Sequence, residues 1–252
     1  MGTPSELTAI ERAIRVDLAA AFRLAVRLDL HEGVCNHFSV MLPDVRHEER
    51  RFLLNRYGLH WSEVTASNLL ALDAAGQVLS GEGEYEKTAF WIHSRIHLAN
   101  PHAACVLHTH MPYATALTLL DDARLEMAEQ NALRFHGEIA YDDTYNGLVV
   151  DAAEGDRLAQ VLGGKRVLFL ASHGVIVVGP SVAEAFDALY YLERACRLQV
   201  LARMMGGRIR RLRDDVVQRT FRLMRADAPK YAAAHFGALR RILEREEPEY
   251  SR

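Results

Sequence analysis

Two short apolar segments, separated by only four residues, constrain the fold of this chain more than any other feature. Residues 167–170 read Val-Leu-Phe-Leu and residues 175–178 read Val-Ile-Val-Val, with Ala-Ser-His-Gly between them. Strands that are apolar at every position are buried on both faces, whereas strands with one solvated face alternate polar and apolar residues. The pattern therefore predicts two buried strands inside a layered α/β domain, with a polar hinge at 171–174.

Hydrophobic spacing and turn residues predict the remaining elements. Apolar residues at helical spacing predict helices over about 4–28, 86–99, 155–162 and 181–205, and another that begins near 112. Short apolar runs bounded by turn residues predict strands at 38–42, 51–54, 69–72, 77–79, 104–107 and 135–140. The sequence shows no convincing linker, so we predict a single domain over 1–252 with a C-terminal helical extension from about 206.

The composition limits the classes of partner. Half of the 252 residues are apolar, a quarter are charged and the formal net charge is -3, as in an ordinary globular domain. Such a chain has no electrostatic field for a polyanion, so we expect a small-molecule substrate and no nucleic acid. The arginines within 208–213 are followed directly by two aspartates, so we interpret this run as a solvated or inter-subunit segment.

Apolar runs and cysteines indicate the compartment. No apolar run approaches the ~20 residues that span a bilayer, and the N-terminus lacks the apolar region of a secretory signal. We therefore expect no membrane association. Cys35, Cys105 and Cys196 form no CxxC motif and cannot all pair. Reduced thiols in a cytoplasmic protein are the expectation.

Histidine is the unusual part of the composition, with twelve copies. His108 and His110 lie at the end of a predicted strand, where side chains two residues apart project from the same face. His173 lies in the hinge, where a buried imidazole needs a partner, and we expect Gly174 to allow a tight bend there. Three neutral imidazoles with an open position are typical of catalytic zinc sites. The sequence therefore predicts a metal site, although two polar residues at a strand end remain the alternative for His108 and His110 alone.

The other histidines have weaker claims. His93 and His97 are four residues apart on one predicted helix, but Ser94 stands where an HExxH motif has its glutamate. We therefore predict packing or hydrogen bonding for this pair. Candidate pocket residues, each near a glycine or an asparagine, are His31, His37 and His136.

Several of these segments together resemble the class II aldolase/adducin family. The resemblance rests on Val-Leu-His-Thr-His at 106–110 and on Phe-Leu-Ala-Ser-His-Gly-Val-Ile-Val-Val-Gly at 169–179, and it extends over about residues 10–205. Residues 33–40 and 55–58 are similar to the two substrate loops of the family. The resemblance implies a three-layer α/β/α fold around a mostly antiparallel sheet, in a homotetramer with active sites at subunit interfaces.

Site residues carry over from the family at matching positions. The histidines that hold zinc in its sugar-phosphate aldolases correspond to His108, His110 and His173. The two loops imply substrate contacts from Asn36, His37 and Gly58. The expected metal is Zn2+, with Mn2+, Co2+ and Mg2+ as alternatives.

One part of the family pattern is absent. The Ser-Ser-Glu motif, in which the serines hold phosphate and the glutamate handles protons, falls on Lys87, Thr88 and Ala89. The resemblance therefore implies a substrate without phosphate, with Lys87 available to a carboxylate. Glu86 or a metal-bound water is then expected to handle protons, and a solvated acidic loop is the alternative for Glu86.

The function that this resemblance implies is carbon–carbon bond chemistry. Residues 85–93 and 190–196 resemble members that act on hydroxy-ketoacids, so we expect an aldolase or lyase that works through a metal-stabilised enolate of a pyruvate-like substrate. Tyr141 or Tyr145 is expected to protonate a leaving alkoxide, with packing as the alternative. A metal-dependent decarboxylase of an oxo or aromatic acid and a non-catalytic adducin-like interaction module remain open as alternatives.

Overall fold

An eight-stranded sheet forms the centre of the protein, in a computed structural model that describes residues 4–43, 50–122 and 124–252. The strands are β1 (His37–Met41), β2 (Arg51–Leu54), β3 (Leu70–Asp73), β4 (Val78–Ser80), β5 (Cys105–Thr109), β6 (Ile139–Asp142), β7 (Val167–Leu170) and β8 (Gly174–Gly179). Their order across the sheet is β4-β3-β2-β1-β5-β8-β7-β6. Every neighbouring pair is antiparallel except β6 and β7, so the sheet is mixed and mostly antiparallel.

Helices cover both faces of this sheet. They are α1 (Pro4–Arg27), α2 (Lys87–Ala99), α3 (Pro112–Thr118), α4 (Ala152–Leu162), α5 (Val182–Met204) and α6 (Asp214–Glu246). Successive side chains of a strand point to opposite faces. On β8, Val175 and Val177 join the core formed with α1, α5 and α6, whereas Ile176 and Val178 join the core formed with α2 and α4. The three-layer α/β/α fold is thereby confirmed.

The C-terminal helix α6 packs back onto the rest of the fold. It begins at Asp214, whose carboxylate lies in the first turn, where the positive end of the helix dipole favours it. Phe236 of α6 contacts Phe186 of α5, with ring centroids 5.6 Å apart. Arg240 pairs with Asp17 of α1 at 2.5 Å. These contacts connect the last helix to the first.

The strand expected at 135–140 is shorter than predicted. Ala132–Phe135 is a short 3-10 helix whose apolar residues enter the core, and β6 begins only at Ile139. Gly137 between them has φ +73°, a left-handed conformation that ends extended backbone and suits glycine. The prediction was therefore wrong for the first residues of this segment.

The described residues contain no helix that could span a membrane and no disulfide bond. None of their helices combines the length and the apolar character needed to cross a bilayer. All three cysteines are free, with Cys35 exposed and both Cys105 and Cys196 buried.

Candidate metal centre

Strand register places one histidine beside the β7–β8 turn. His108 lies on β5, opposite Ile176 of β8 on one side and His37 of β1 on the other. His110 follows just beyond the end of β5, and His173 lies in the turn between β7 and β8. Because β5 and β8 are antiparallel neighbours, the end of one meets the beginning of the other.

The three rings predicted as ligands come together at this point. The ring centroids of His108 and His110 are 5.0 Å apart, those of His108 and His173 are 4.8 Å apart, and those of His110 and His173 are 4.7 Å apart. One ring nitrogen from each lies within 4.8 Å of the others. This convergence is the arrangement that a single metal ion requires.

Hydrogen bonds leave one nitrogen available on two of the rings. Nδ1 of His108 lies 3.0 Å from the carbonyl oxygen of Val175, which can only accept, so this nitrogen carries the proton. Nδ1 of His110 lies 2.5 Å from a carboxylate oxygen of Glu32. Metal-binding histidines commonly donate their second nitrogen to a carbonyl or carboxylate in this way.

The remaining nitrogen of His110 supplies a test of whether the residues fit a metal. Nε2 of His110 is buried and has no hydrogen-bond partner. A buried polar atom without a partner is costly in a folded protein, and a metal ion at the centre of the three rings would satisfy it. Three imidazoles form a donor set suited to Zn2+ and other divalent ions, so the residues fit the group that the family implies.

Burial keeps two of these rings neutral. It lowers the pKa of His108 well below its ordinary value, and the neighbouring histidines lower that pKa further. It also lowers the pKa of His173 to about 4, with a further contribution from His110. A neutral imidazole has the lone pair that a metal needs, so neither ring has to lose a proton at neutral pH.

The turn that carries His173 depends on two neighbours. Ser172 has φ +55° and donates its backbone N–H to the carbonyl oxygen of Thr118 at 2.9 Å. A Cβ on Gly174 would lie 2.6 Å from the carbonyl oxygen of Thr109 and 2.7 Å from Cδ2 of His110. Gly174 thus allows the bend, as expected, through the space that a Cβ would fill, whereas the residue that takes the left-handed conformation is Ser172.

Glu32 is a site residue that the sequence does not reveal. Its side chain is 63% exposed, yet its carboxylate contacts His110, which lies 78 positions later in the chain. An exposed glutamate in a loop after a helix resembles any other solvated acid. Only its place just before the first substrate loop distinguishes it.

The first substrate loop borders the histidines. Oδ1 of Asn36 accepts the backbone N–H of His110 at 3.3 Å, and Nδ2 of Asn36 is buried without a partner. His37 is buried, with its ring centroid 4.8 Å from that of His108. Gly58 of the second loop has φ +80° and no side chain or backbone within 4 Å of a Cβ built on it. Asn36 and His37 thus lie beside the three histidines, and Gly58 lies in an exposed loop.

Glu86 and Lys87 lie at the beginning of α2. The Glu86 carboxylate accepts the backbone N–H of Ala89 at 2.8 Å and the hydroxyl of Thr88, so it caps the helix. Lys87 is exposed, and Ala89 is 1% exposed. The residues whose ligand atoms converge are His108, His110 and His173, and Glu86 is not among them.

The two tyrosines differ in their contacts. Tyr141 stacks on Phe169 at 5.3 Å between ring centroids, and its hydroxyl oxygen accepts the backbone N–H of Leu125. The ring centroid of Tyr145 lies 6.3 Å from that of His173. Both tyrosines line a cavity of about 180 Å³ that also reaches Ser172, next to His173.

Comparison with known proteins agrees with the fold and identifies the family. The family model described as Class II Aldolase and Adducin N-terminal domain matches residues 16–200. A protein from Caulobacter vibrioides named for the class 2 aldolases is 34% identical over 218 residues, which cover 86% of this chain and 80% of that protein. Alpha-adducin from Rattus norvegicus is 36% identical over 201 residues, which cover 78% of this chain and 26% of the adducin.

A solved structure extends the likeness over the whole chain. The crystal structure of an aldolase II superfamily protein from Pseudomonas syringae is 32% identical and covers 100% of this chain and 98% of its own, with a TM-score of 0.87. Together with the match of the family model, this shows that the chain belongs to the class II aldolase and adducin family.

Proposed function

We propose that this protein is a metal-dependent aldolase or lyase that forms or cleaves a carbon–carbon bond in a small pyruvate-like or hydroxy-ketoacid substrate. The observation that carries the proposal is the convergence of His108, His110 and His173, with Nε2 of His110 buried and unpaired. Membership of the class II aldolase family supports the same chemistry.

The candidate metal site consists of three histidine rings and the groups that orient them. His108, His110 and His173 would hold one divalent ion, Zn2+ by preference, with Mn2+, Co2+ or Mg2+ as alternatives. Such an ion, when bound, acts as a Lewis acid that stabilises negative charge on a substrate oxygen. The Val175 carbonyl and the Glu32 carboxylate orient two of the rings.

Substrate recognition is assigned to the first loop and to the adjacent cavity. Asn36 would donate Nδ2–H to a substrate oxygen, because this amide nitrogen is buried and unpaired while its oxygen holds the backbone of His110. Tyr145 is the preferred proton donor to a leaving alkoxide, since its ring lies 6.3 Å from that of His173, whereas the Tyr141 hydroxyl is held at Leu125. Glu86 has no place in this scheme because its carboxylate caps α2.

The substrate is proposed to lack phosphate. The family positions for two serines and a glutamate are Lys87, Thr88 and Ala89 in this chain. Lys87 is exposed at the first turn of α2, so it remains available to a carboxylate. A free carboxylic acid of low molecular mass suits this arrangement better than a sugar phosphate.

The assembly is proposed to be a cytoplasmic homotetramer, as the family resemblance and the cysteines suggest. Leu148 and Val150 are 73% and 69% exposed, in the segment that follows Tyr145. Leu119 is exposed as well and lines the cavity shared with Tyr141. An interface between subunits at this place would bury these exposed apolar side chains.

Two alternatives lead to different products. A decarboxylase would release carbon dioxide without an aldehyde, and an adducin-like module, favoured by the identity to alpha-adducin, would do neither. The test is to incubate zinc-loaded protein with hydroxylated oxo acids and to follow pyruvate, aldehyde and carbon dioxide by NMR. Pyruvate with aldehyde supports the aldolase, and carbon dioxide together with the shortened acid or ketone, without an aldehyde, supports the decarboxylase. A protein that neither binds metal nor yields a product supports the interaction module.

A further inference from the structure

A chain of buried polar side chains extends from the candidate metal centre into the layer between β1 and α2. Nδ1 of His37 lies 2.7 Å from Nε2 of His93, and Nδ1 of His93 lies 2.5 Å from Oγ of Ser39. Oγ of Ser39 lies 2.7 Å from Nε2 of His97, whose Nδ1 lies 2.5 Å from the carbonyl oxygen of Ala103. Each of the four side chains is at most 3% exposed.

Alternating faces and helical spacing explain why these four groups meet. His37 and Ser39 are two residues apart on β1, so they face the same side of the sheet. Their partners on the sheet are His108 and Val106, and Val106 packs in the core under α2. His93 and His97 are four residues apart on α2, on the helix face that meets the sheet.

The carbonyl of Ala103 sets the direction of every hydrogen bond in this chain. A carbonyl only accepts, so the proton of His97 lies on Nδ1. Burial lowers the pKa of His97 to about 4 and that of His93 well below its ordinary value, so each ring carries one proton at neutral pH. Nε2 of His97 therefore accepts from the Ser39 hydroxyl, and the Ser39 oxygen accepts from Nδ1 of His93.

The same logic decides the tautomer of the ring nearest the metal centre. Nε2 of His93 has no proton left, so it accepts from Nδ1 of His37. The proton of His37 lies on Nδ1, and Nε2 of His37 keeps a free lone pair. The His37 ring packs against His108, with their ring centroids 4.8 Å apart.

We infer that His37 presents this unprotonated Nε2 as a hydrogen-bond acceptor for a hydroxyl group of the ligand at the three histidines, and that His93, Ser39 and His97 are positioning residues for it. The glutamate position of the family is Ala89 in this chain, one turn before His93 on α2, and alanine has no acceptor atom in its side chain. Nε2 of His37 supplies an acceptor in its place. The identity of the ligand rests on the proposed function, whereas the tautomer of His37 does not.

The first test measures the tautomer directly. Histidine-selective 15N labelling and two-bond proton–nitrogen NMR of the zinc-loaded protein should show His37, His93 and His97 each protonated at Nδ1. Ser39→Ala removes the central link, and His37 should then divide its proton between Nδ1 and Nε2. Ser94→Ala is the matched control, because Ser94 is an equally buried serine that donates to the Phe90 carbonyl instead.

Each NMR outcome decides the inference. His37 protonated at Nε2 in the wild type, or a zinc-bound shift at that nitrogen, overturns it. A Ser39→Ala variant with the wild-type tautomer of His37 also overturns the role of the chain. A His37 proton that stays on Nδ1 in the wild type and in the Ser94→Ala control, and that is divided between Nδ1 and Nε2 only in Ser39→Ala, supports both parts.

The second test measures the hydrogen bond to a ligand hydroxyl. Calorimetry of the zinc-loaded protein compares glycolate, which has a hydroxyl beside its carboxylate, with acetate, which lacks it. The preference for glycolate should fall by about three- to tenfold in Ser39→Ala, the range of one hydrogen bond, and persist in Ser94→Ala. An unchanged preference in Ser39→Ala overturns the acceptor role. If neither anion binds the wild type, the proposed carboxylate substrate is contradicted, and the His37 tautomer alone decides the inference.

Discussion

Nε2 of His110 is the atom on which the candidate site most depends. It is buried without a partner, while Nδ1 of the same ring is held by Glu32. His110→Ala should therefore abolish stoichiometric metal binding, since two imidazoles do not complete a tetrahedral site. Elemental analysis after dialysis against zinc is the measurement. His102→Ala is the control, because His102 contacts the Lys165 carbonyl, away from the three histidines. A full metal complement in His110→Ala would exclude this ligand set.

Glu32 tests how far a partner of a ligand matters. Glu32→Gln keeps the size of the side chain but removes the charge that orients His110, so zinc affinity should fall by about ten- to a hundredfold. Competition with a chromophoric chelator measures the affinity. Glu82→Gln, at an exposed glutamate in another loop, should leave it unchanged. Equal affinities in the two variants would show that Glu32 contacts His110 without tuning it.

At this scale the sequence predicts those residues whose partners are implied by local pattern. His108 and His110 can be predicted as site residues because side chains two residues apart on a strand share a face. His173 can be predicted because a polar ring between two buried strands needs a partner. The sequence does not reveal Glu32 and Ser39 as site residues. One resembles a solvated acid and the other a small strand residue, and their contacts are 78 and 54 positions away. Hydrogen bonding is confirmed for His93 and His97.

Among the elements, the β7–β8 turn is the most sensitive to a single methyl group. Gly174→Ala places a Cβ against the Thr109 carbonyl and the His110 ring, so the turn has to shift. We expect a loss of about 1–3 kcal/mol in the free energy of unfolding, as in other overpacked sites, together with weaker zinc binding. Urea denaturation measures the first and chelator competition the second. Gly164→Ala, where a Cβ meets nothing within 4 Å, is the control. If the two variants behave alike, close packing at Gly174 does not matter.

Helix α5 connects a titratable carboxyl to the element that follows the metal ligands. Glu193 is 8% exposed, and its two oxygens accept the backbone N–H groups of Tyr113 and Ala114 at the beginning of α3. Burial raises the pKa of Glu193 from 4.5 to about 7, against the lowering effect of those two hydrogen bonds. The folded protein therefore holds this proton more tightly than the unfolded chain does.

The pH dependence of stability follows from that shift. The contribution of Glu193 is fully present below about pH 4.5 and is lost as the pH rises to about 7, by up to about 3 kcal/mol. Glu193→Gln does not titrate, so the unfolding free energy of the wild type should fall relative to this variant over the same range. Urea denaturation of the metal-free proteins at several pH values measures the difference. A difference that grows in favour of the wild type with rising pH would contradict the raised pKa.

Element positions follow from the sequence more closely than their pairing does. The segment 51–54 is a strand as predicted, and the helix expected at 86–99 spans Lys87–Ala99, because hydrophobic period and proline are local signals. The segment 135–140 fails because Gly137 and the 3-10 turn before it are decided by tertiary packing. The pairing of β1 with β5, which brings His37 to His108, joins distant segments that periodicity alone does not connect.

The candidate metal centre lies where three neighbouring strands of the sheet meet the loops at their ends. Strands β1, β5 and β8 are neighbours in the sheet. The three histidines, Asn36 and His37 all lie at the same end of these three strands. The family resemblance predicts this fold class, and the structure and the comparisons confirm it. Metal identity, substrate and tetramer depend on groups outside a single chain, so for them the sequence and the fold provide proposals.

The three histidines are proposed to hold a metal that activates the carbon beside a carbonyl. The decisive measurement is the exchange of the methyl protons of pyruvate for deuterium, followed by NMR in deuterated buffer. Exchange should increase with the concentration of zinc-loaded protein, vanish after removal of the metal and in His110→Ala, and persist in His102→Ala. Fully loaded wild-type protein that exchanges no faster than buffer, or a His110→Ala variant as active as the wild type, would contradict this proposal.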